Sequence, residues 1–196
     1  EILLNSYLRS FISKENSNIA LSIARAGNVI GGGDWSEGRL IPDCIKFWRK
    51  KKKLIVRNPS STRPWQHVLE VLTGYLMLAE KLSQNKNKFH GEAFNFGPNK
   101  YSKLSVMQIL FLIKKRLKNL NWSIERKSKF KEAKLLKLNS KKANKLLRWR
   151  CILTTNETIS MVIEWYQNFY SKKILNEEFS KTQIKNYLKI LKKRTK

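Results

Sequence analysis

The chain has 196 residues and a formal net charge of +27, with 41 lysines and arginines against 14 aspartates and glutamates. A chain of this length can bury one substantial core, so one domain is the starting expectation. Its two cysteines, Cys44 and Cys151, lie far apart and its two histidines do not cluster, which argues against a zinc site or a disulfide framework. We find neither a signal peptide nor an apolar run of about 20 residues, so we predict a soluble cytoplasmic protein without a membrane partner.

The high positive charge is also found in proteins that bind the phosphate backbone of nucleic acids. Here, however, the basic residues are spread along the whole chain and form no arginine-rich arm. We therefore interpret them as a solvated, lysine-rich surface and expect no nucleic-acid partner. A non-catalytic basic binding module remains the alternative.

The beginning of the chain has the pattern of an α/β fold. Apolar residues recur at helical spacing over residues 1–13. Residues 19–25 form a short apolar run, which is typical of a strand buried on both faces of a parallel sheet. Four glycines within residues 27–35 then predict a flexible loop at the carboxyl end of this strand, where ligands of open α/β sheets bind. This loop is the first candidate site.

A second candidate site follows two further elements. We predict a helix through residues 44–48, a strand at 54–57 and a turn at 58–62. The dense cluster at residues 63–68, with the sequence RPWQHV, comes directly before a periodic helix over residues 69–82.

The rest of the chain alternates similar elements. We predict strands at 92–98 and 122–125, and helices at 105–118, from 139 or 140 to 147, and at 156–169. The segment 171–196 is rich in lysine and keeps some helical periodicity, which fits either an added helix or a frayed extension. We therefore divide the chain into residues 1–170 and a lysine-rich tail, 171–196.

Three ordered stretches carry a family resemblance. They read ARAGNVIGGGDW at residues 24–35, RLIPD at 39–43, and RNP followed by RPWQHV at 57–59 and 63–68. Together they closely resemble the CDP-glucose 4,6-dehydratases, a family of NAD-dependent nucleotide-sugar enzymes within the extended short-chain dehydrogenase/reductases. Weaker similarity extends the resemblance over most of residues 1–170, at positions 91–98, 136–138 and 164–166.

The resemblance implies a fold, a cofactor and a reaction. The fold would be α/β, the C-terminal part of an NAD-binding Rossmann-fold enzyme together with its smaller substrate-binding domain. In this lyase family NAD removes hydride from carbon 4 of CDP-glucose, water leaves across carbons 5 and 6, and the hydride returns to carbon 6. The implied product, CDP-4-keto-6-deoxyglucose, supplies deoxysugars to surface polysaccharides such as the O antigen of lipopolysaccharide. Another nucleotide-sugar dehydratase or an epimerase of the same fold remains open.

The family's catalytic residues have no counterpart in this chain. Its glycine-rich NAD loop, its acid/base pair and its YxxxK dyad all lie upstream of the helix that begins here. Tyr7 is not the dyad tyrosine, because Phe11 stands where the lysine would be. We therefore expect the catalytic residues before residue 1, on a missing N-terminal Rossmann segment, and expect the complete protein to form a homodimer. This chain alone would be inactive.

Seven positions match ligand-contacting positions of the family. The backbone of Ala26 would pass the nicotinamide of NAD, and the nucleotide-sugar contacts would be Asn28, Arg39, Leu40, Arg57, Arg63 and Asn95. The planar guanidinium of Arg63 can donate two parallel hydrogen bonds to a diphosphate, and the amide of Asn28 can donate to phosphate oxygens. We interpret His67 as a structural histidine rather than a catalytic base. No metal site is expected.

Overall fold

The computed structural model describes residues 2–12, 18–98, 103–125 and 138–195, so the family similarity at positions 136 and 137 lies outside the described residues. Its helices are α1 (Ile2–Phe11), α2 (Leu40–Arg49), α3 (Val68–Gln84), α4 (Lys86–Phe89), α5 (Val106–Lys114), α6 (Lys141–Leu147), α7 (Thr155–Ser171) and α8 (Asn176–Thr195). Its strands are β1 (Ile23–Ala26), β2 (Asn28–Ile30), β3 (Leu54–Val56), β4 (Thr62–His67), β5 (Ala93–Phe96), β6 (Lys103–Ser105) and β7 (Trp122–Ile124). None of the described helices has the length and apolar character needed to cross a membrane.

The strands form three small sheets in which parallel pairing dominates. β1 pairs with β5, β2 with β4, and β3 with β7, all in parallel, while β6 adds to β4 in antiparallel orientation. Parallel strands need crossover connections, and helices supply them here. The predicted α/β class is therefore confirmed.

The structure has two strands at the candidate sites that the sequence did not predict. The loop expected at residues 27–35 contains the strand β2, because the backbone of Asn28–Ile30 finds a partner in Trp65, Gln66 and His67 of β4. The cluster at 63–68 is itself mostly strand, although Pro64 cannot donate a ladder hydrogen bond. These pairings join residues more than 30 positions apart, so neither is visible in a local sequence pattern.

The larger core lies between α2, α5 and α7. Ile109, Leu110 and Ile113 of α5 are fully buried, and their spacing places them on one face of the helix. They join three buried aliphatic residues of α7, Ile159, Val162 and Ile163. Burial of each such side chain contributes roughly 1.5–3 kcal/mol before conformational entropy is counted.

A second core lies where β1 and β5 meet α3 and α6. Phe94 and Phe96 of β5 are fully buried there, and Trp149 packs edge-on against Phe96 with ring centroids 5.0 Å apart. Gly74 of α3 makes this packing possible, since a Cβ at that position would lie 2.4 Å from the Phe96 ring. The strands that lead to the candidate site are thus anchored in a close-packed interior.

The lysine-rich tail is an ordered helix over Asn176–Thr195 rather than a frayed extension. Tyr187 of α8 is buried with Ile152 and Leu153. At the end of α8 the Arg194 guanidinium donates to both carboxylate oxygens of Glu157, at 2.9 and 2.6 Å, and to the carbonyl oxygen of Ile152 at 2.7 Å. These contacts hold α8 against the amino-terminal end of α7.

The Arg194–Glu157 pair predicts a pH-dependent contribution to stability. Hydrogen bonding from Arg194 lowers the pKa of Glu157 from 4.5 to about 2, so the stabilisation is complete above pH 4.5 and is lost as the pH falls through about 2. Because both side chains are about a third exposed, we expect Arg194→Gln to lower the free energy of unfolding by only about 1 kcal/mol at neutral pH. Urea denaturation at several pH values measures this free energy. The neighbouring substitution Lys193→Gln is the control, and it should change the free energy of unfolding little. An equal loss at pH 2 and pH 7 would contradict the assignment.

Candidate functional site

A cavity of about 740 Å³ opens between the carboxyl end of β1, β2, β3, β4 and the beginning of α2. This volume is within the usual range for sites that hold a small organic ligand. Six of the seven predicted contact residues line it: Ala26, Asn28, Arg39, Leu40, Arg57 and Arg63. The fold thus brings residues from five separate segments to one place, at an edge of the sheet where ligands of α/β proteins bind.

Close packing of β2 on β4 sets the cavity wall. A Cβ at Gly27 would lie 2.6 Å from the carbonyl oxygen of Pro64, so only glycine allows the β1–β2 connection to approach β4 this closely. Asn28 pairs with Trp65 across the two strands, and Arg63 shares a face of β4 with Trp65. Asn28, Trp65 and Arg63 therefore stand side by side along the wall.

The residues that line the cavity carry a net positive charge. Three guanidinium groups line it, those of Arg39, Arg57 and Arg63, against two carboxylates, those of Asp34 and Asp43. Arg39 donates to Asp34 Oδ2 at 3.2 Å, while Arg63 donates through Nη1 to the carbonyl oxygen of Thr62 at 2.9 Å. A net positive, partly enclosed surface with forked donors favours an anion that carries several oxygens.

The two carboxylates differ in their surroundings. Burial alone would raise the pKa of Asp34, but hydrogen bonds from Ser36 and Arg39 outweigh it and lower that pKa below its ordinary value. Burial raises the pKa of Asp43, although a backbone hydrogen bond from Gly38 and the charge of Lys46 oppose the shift. Asp34 is therefore held as a carboxylate, suited to orient Arg39 rather than to release a proton.

The beginning of α2 adds donors to the same cavity. Leu40 and Ile41 are the first residues of this helix and line the cavity, and the preceding Arg39 does not cap it through its side chain. Backbone N–H groups in the first turn of a helix have no partner within the helix, and the helix dipole makes that end positive. This end of α2 thus reinforces the preference for an anion.

Asn95 does not line this cavity. Its Oδ1 accepts from Arg25 at 3.2 Å, and its Nδ2 donates to the carbonyl oxygen of Asn139 at 3.3 Å. It therefore connects β5 with β1 and with the segment before α6. A contact between Asn95 and a nucleotide stays a prediction from the family resemblance.

His67 has the contacts of a helix-capping residue. It is 2% exposed, and its Nδ1 accepts a hydrogen bond from the backbone N–H of Leu69 at 3.2 Å, at the beginning of α3. Burial lowers the pKa of His67 from 6.5 to about 4. Within the described parts of the chain its Nε2 has no hydrogen-bond partner.

The pKa of His67 predicts how stability changes with pH. The unfolded chain binds a proton at this histidine below about pH 6.5 and the folded chain only below about pH 4, so stability is complete above 6.5 and falls between these values. The loss should be on the order of 3 kcal/mol. We expect His67→Asn, which can still cap α3, to remove this pH dependence. Urea denaturation at several pH values measures it as the difference in free energy of unfolding between the variant and the unmodified chain. A difference that stays constant from pH 7 to pH 4 would contradict it.

The sequence did not indicate Tyr166 as a residue of this region. The hydroxyl of Tyr166 on α7 donates to the carbonyl oxygen of Asp34 at 2.5 Å, although 132 positions separate them. The sequence signal for Tyr166 was its place in the family resemblance at positions 164–166, whereas Asp34 lies within the first candidate site. Among the described residues no three His, Cys, Asp or Glu side chains are grouped so as to hold a metal ion.

Comparison with known sequences gives one informative match. No protein-family model matches the chain. The chain is 35% identical to CDP-glucose 4,6-dehydratase of Salmonella typhimurium over 198 residues, which cover 96% of this chain and 53% of that protein. The match therefore reaches beyond residue 170, further than the resemblance did, and the chain spans about half the length of this relative.

Solved structures agree on the fold. UDP-glucuronic acid 4-epimerase from Bacillus cereus, in complex with UDP-glucuronic acid and NAD, matches with a TM-score of 0.71 at 20% identity over 86% of this chain and 50% of that one. UDP-glucose-4-epimerase from Stenotrophomonas maltophila, with bound NAD and formylated UDP-arabinopyranose, matches with a TM-score of 0.71 at 12% identity. This match covers 87% of this chain and 54% of that one. dTDP-glucose 4,6-dehydratase from Bacillus anthracis, in complex with NAD, matches with a TM-score of 0.64 at 17% identity. This match covers 85% of this chain and 49% of that one. The chain is thus a homologue of CDP-glucose 4,6-dehydratase with the fold of the extended short-chain dehydrogenase/reductases that act on nucleotide-sugars.

Proposed function

We propose that this chain forms the nucleotide-sugar site of an NAD-assisted CDP-glucose 4,6-dehydratase, a lyase that yields CDP-4-keto-6-deoxyglucose. The observation that carries the proposal is the positive cavity lined by six of the seven residues that the family resemblance assigns to ligands. The 35% identity to a CDP-glucose 4,6-dehydratase supports the choice of reaction and nucleotide.

The cavity would supply the contacts to the diphosphate. Arg63 and Arg57 would supply forked, charged donors, and the amide of Asn28 would add a neutral donor beside them. The first turn of α2, with the backbone of Leu40, would face the nucleotide portion. Binding energy from these remote groups would hold the glucose where the reaction takes place, as differential binding requires.

This chain would contact NAD along one edge only. Ala26 ends β1 and lines the cavity, and its methyl side chain is small enough to let a flat molecule approach the backbone. NAD, when bound, would accept hydride from carbon 4 and return it to carbon 6. We assign no acid, base or hydride-directing tyrosine to the residues of this chain.

The proposal extends to the setting of the enzyme. The complete protein would be a cytoplasmic homodimer that supplies deoxysugars for surface polysaccharides such as lipopolysaccharide O antigen. A nucleotide-sugar epimerase is the second candidate, because both epimerase structures compared above match with a TM-score of 0.71. A basic binding module without catalysis is the third, because of the net charge of +27.

Turnover of nucleotide-sugars tests the proposal. The protein at its full natural length, given NAD and CDP-glucose, should form a 4-keto-6-deoxy sugar without net accumulation of NADH. Mass spectrometry detects the loss of water, and UDP-, GDP- and dTDP-glucose serve as competing substrates. Epimerised sugar of unchanged mass would favour the second candidate, and no conversion of any of the four would contradict catalysis.

A further inference from the structure

The glycine-rich loop at residues 31–39 packs against α7. A Cβ at Gly32 would lie 2.1 Å from Cγ of Trp165, so the loop backbone rests directly on the indole ring. The indole Nε1 of Trp165 donates to Ser180 Oγ of α8 at 2.9 Å, which fixes the orientation of the ring. Gly32 therefore serves packing against α7.

A second contact joins α7 to the same loop at Asp34, which lines the cavity. Tyr166, which is fully buried, donates its hydroxyl hydrogen to the carbonyl oxygen of Asp34 at 2.5 Å. The Asp34 carboxylate then accepts from the backbone N–H of Ser36 at 3.0 Å and from Arg39 Nη1 at 3.2 Å. A continuous set of hydrogen bonds thus runs from α7 to a guanidinium that lines the cavity.

The Arg39 side chain needs such support. It is 65% exposed, and an exposed arginine gains little from a single ion pair because water screens the charges and many rotamers compete. The Asp34 side chain is only 25% exposed, and its backbone carbonyl accepts a hydrogen bond from Tyr166. Its carboxylate is therefore a fixed acceptor for the exposed Arg39 guanidinium. Fixing Asp34 lowers the number of positions that Arg39 samples.

We propose that Tyr166 is a positioning residue of the nucleotide-sugar site, which holds Arg39 toward the bound anion through Asp34. The inference rests on the proposed function, because it names how one residue of that site is oriented. Tyr166 itself lies outside the cavity lining, so any effect of its hydroxyl on binding must pass through the loop.

A pair of matched tyrosine variants tests the role of the hydroxyl. Tyr166→Phe removes one oxygen and keeps the ring, and we expect CDP-glucose to bind about tenfold more weakly in calorimetric titration of the full-length protein. Tyr170→Phe is the control. Its ring packs on Trp35 as that of Tyr166 does, but among the described residues its hydroxyl makes no hydrogen bond. The control should bind within about twofold of the unmodified protein.

A double-mutant cycle with Arg39→Ala separates positioning from a general structural effect. If Tyr166 acts through Arg39, then Tyr166→Phe should lower the affinity for CDP-glucose about tenfold in the unmodified protein. In the Arg39→Ala protein the same change should lower it less than about twofold. Equal losses in the two backgrounds, or no loss in the first, would overturn the inference. Should Tyr166→Phe lower the melting temperature so far that binding cannot be measured, Asp34→Asn replaces it in the same cycle with the same expected pattern.

The inference and the proposed function fail in different ways. If the unmodified protein does not bind CDP-glucose or any other nucleotide-sugar, the proposed function is wrong before the variants are compared. If it binds, and Tyr166→Phe binds equally well, the site stands and the positioning role is wrong.

Discussion

Replacing Arg63 by alanine is expected to weaken CDP-glucose binding by about 100-fold, the largest loss among single changes in the cavity. Arg63 lines the cavity on β4, beside Asn28 and Trp65, and its guanidinium can donate two charged hydrogen bonds to one diphosphate. Each charged hydrogen bond contributes about 1.5–3 kcal/mol, and one factor of ten in affinity corresponds to about 1.4 kcal/mol. Calorimetric titration of the folded variant measures the loss.

Two further variants show whether the guanidinium geometry matters. Arg63→Lys keeps the charge but not the fork, so it should recover only part of the affinity. Arg9→Ala removes an exposed charge on α1, away from the cavity lining, and should leave binding within about twofold. If Arg63→Ala bound no worse than Arg9→Ala, the assignment of Arg63 to the substrate would be wrong.

Replacing Glu70 by alanine is expected to lower the free energy of unfolding by about 4 kcal/mol. Glu70 lies in the first turn of α3 and is completely buried. Its Oε1 accepts from the backbone N–H groups of Ile152 and Leu153, at 2.9 and 2.6 Å, and its Oε2 accepts from the Tyr187 hydroxyl at 3.1 Å. Alanine would leave all three donors buried without a partner, and each costs about 1–3 kcal/mol.

Chemical denaturation in urea measures this loss. Glu80→Ala is the matched control on the same helix, because Glu80 is exposed and its side chain bonds only to Gln84 in the described residues. It should change the free energy of unfolding by less than about 0.5 kcal/mol. A Glu70→Ala protein as stable as the control would show that the buried carboxylate does not join α3 to α8 and the segment before α7.

Local signals in the sequence indicated the class of fold and the two candidate sites, and the family resemblance supplied the individual residues of the cavity wall. The apolar run of β1 and the glycines after it predicted a strand followed by a ligand-binding edge, and Arg63 belonged to the dense cluster of the second candidate site. The structure brings these segments together because β2 and β4 pair in parallel. Periodicity and turn residues report on neighbours in sequence, so they indicated the separate segments but not the pairing that joins them.

The remaining features depend on contacts between distant residues. The contact of Asn95 with the nucleotide stays a prediction from the family resemblance, because in the structure its side chain bonds to Arg25 and Asn139 and does not line the cavity. Tyr166 was seen only as part of a weakly similar helix, yet it contacts Asp34 across 132 positions. No local pattern distinguishes such a tyrosine from an ordinary core residue, because its role is set by the residue that the fold places opposite its hydroxyl.

Binding of CDP-glucose at low and high salt tests the central claim, that the cavity is a nucleotide-sugar site, most directly. The full-length protein should bind CDP-glucose more tightly than UDP-glucose, and its affinity should fall by no more than about tenfold between about 0.05 and 0.5 M salt, since few charges form the site. An affinity that collapses with salt and shows no preference for the cytidine nucleotide would contradict the claim. The basic surface of the chain, and not its cavity, would then be the part that binds.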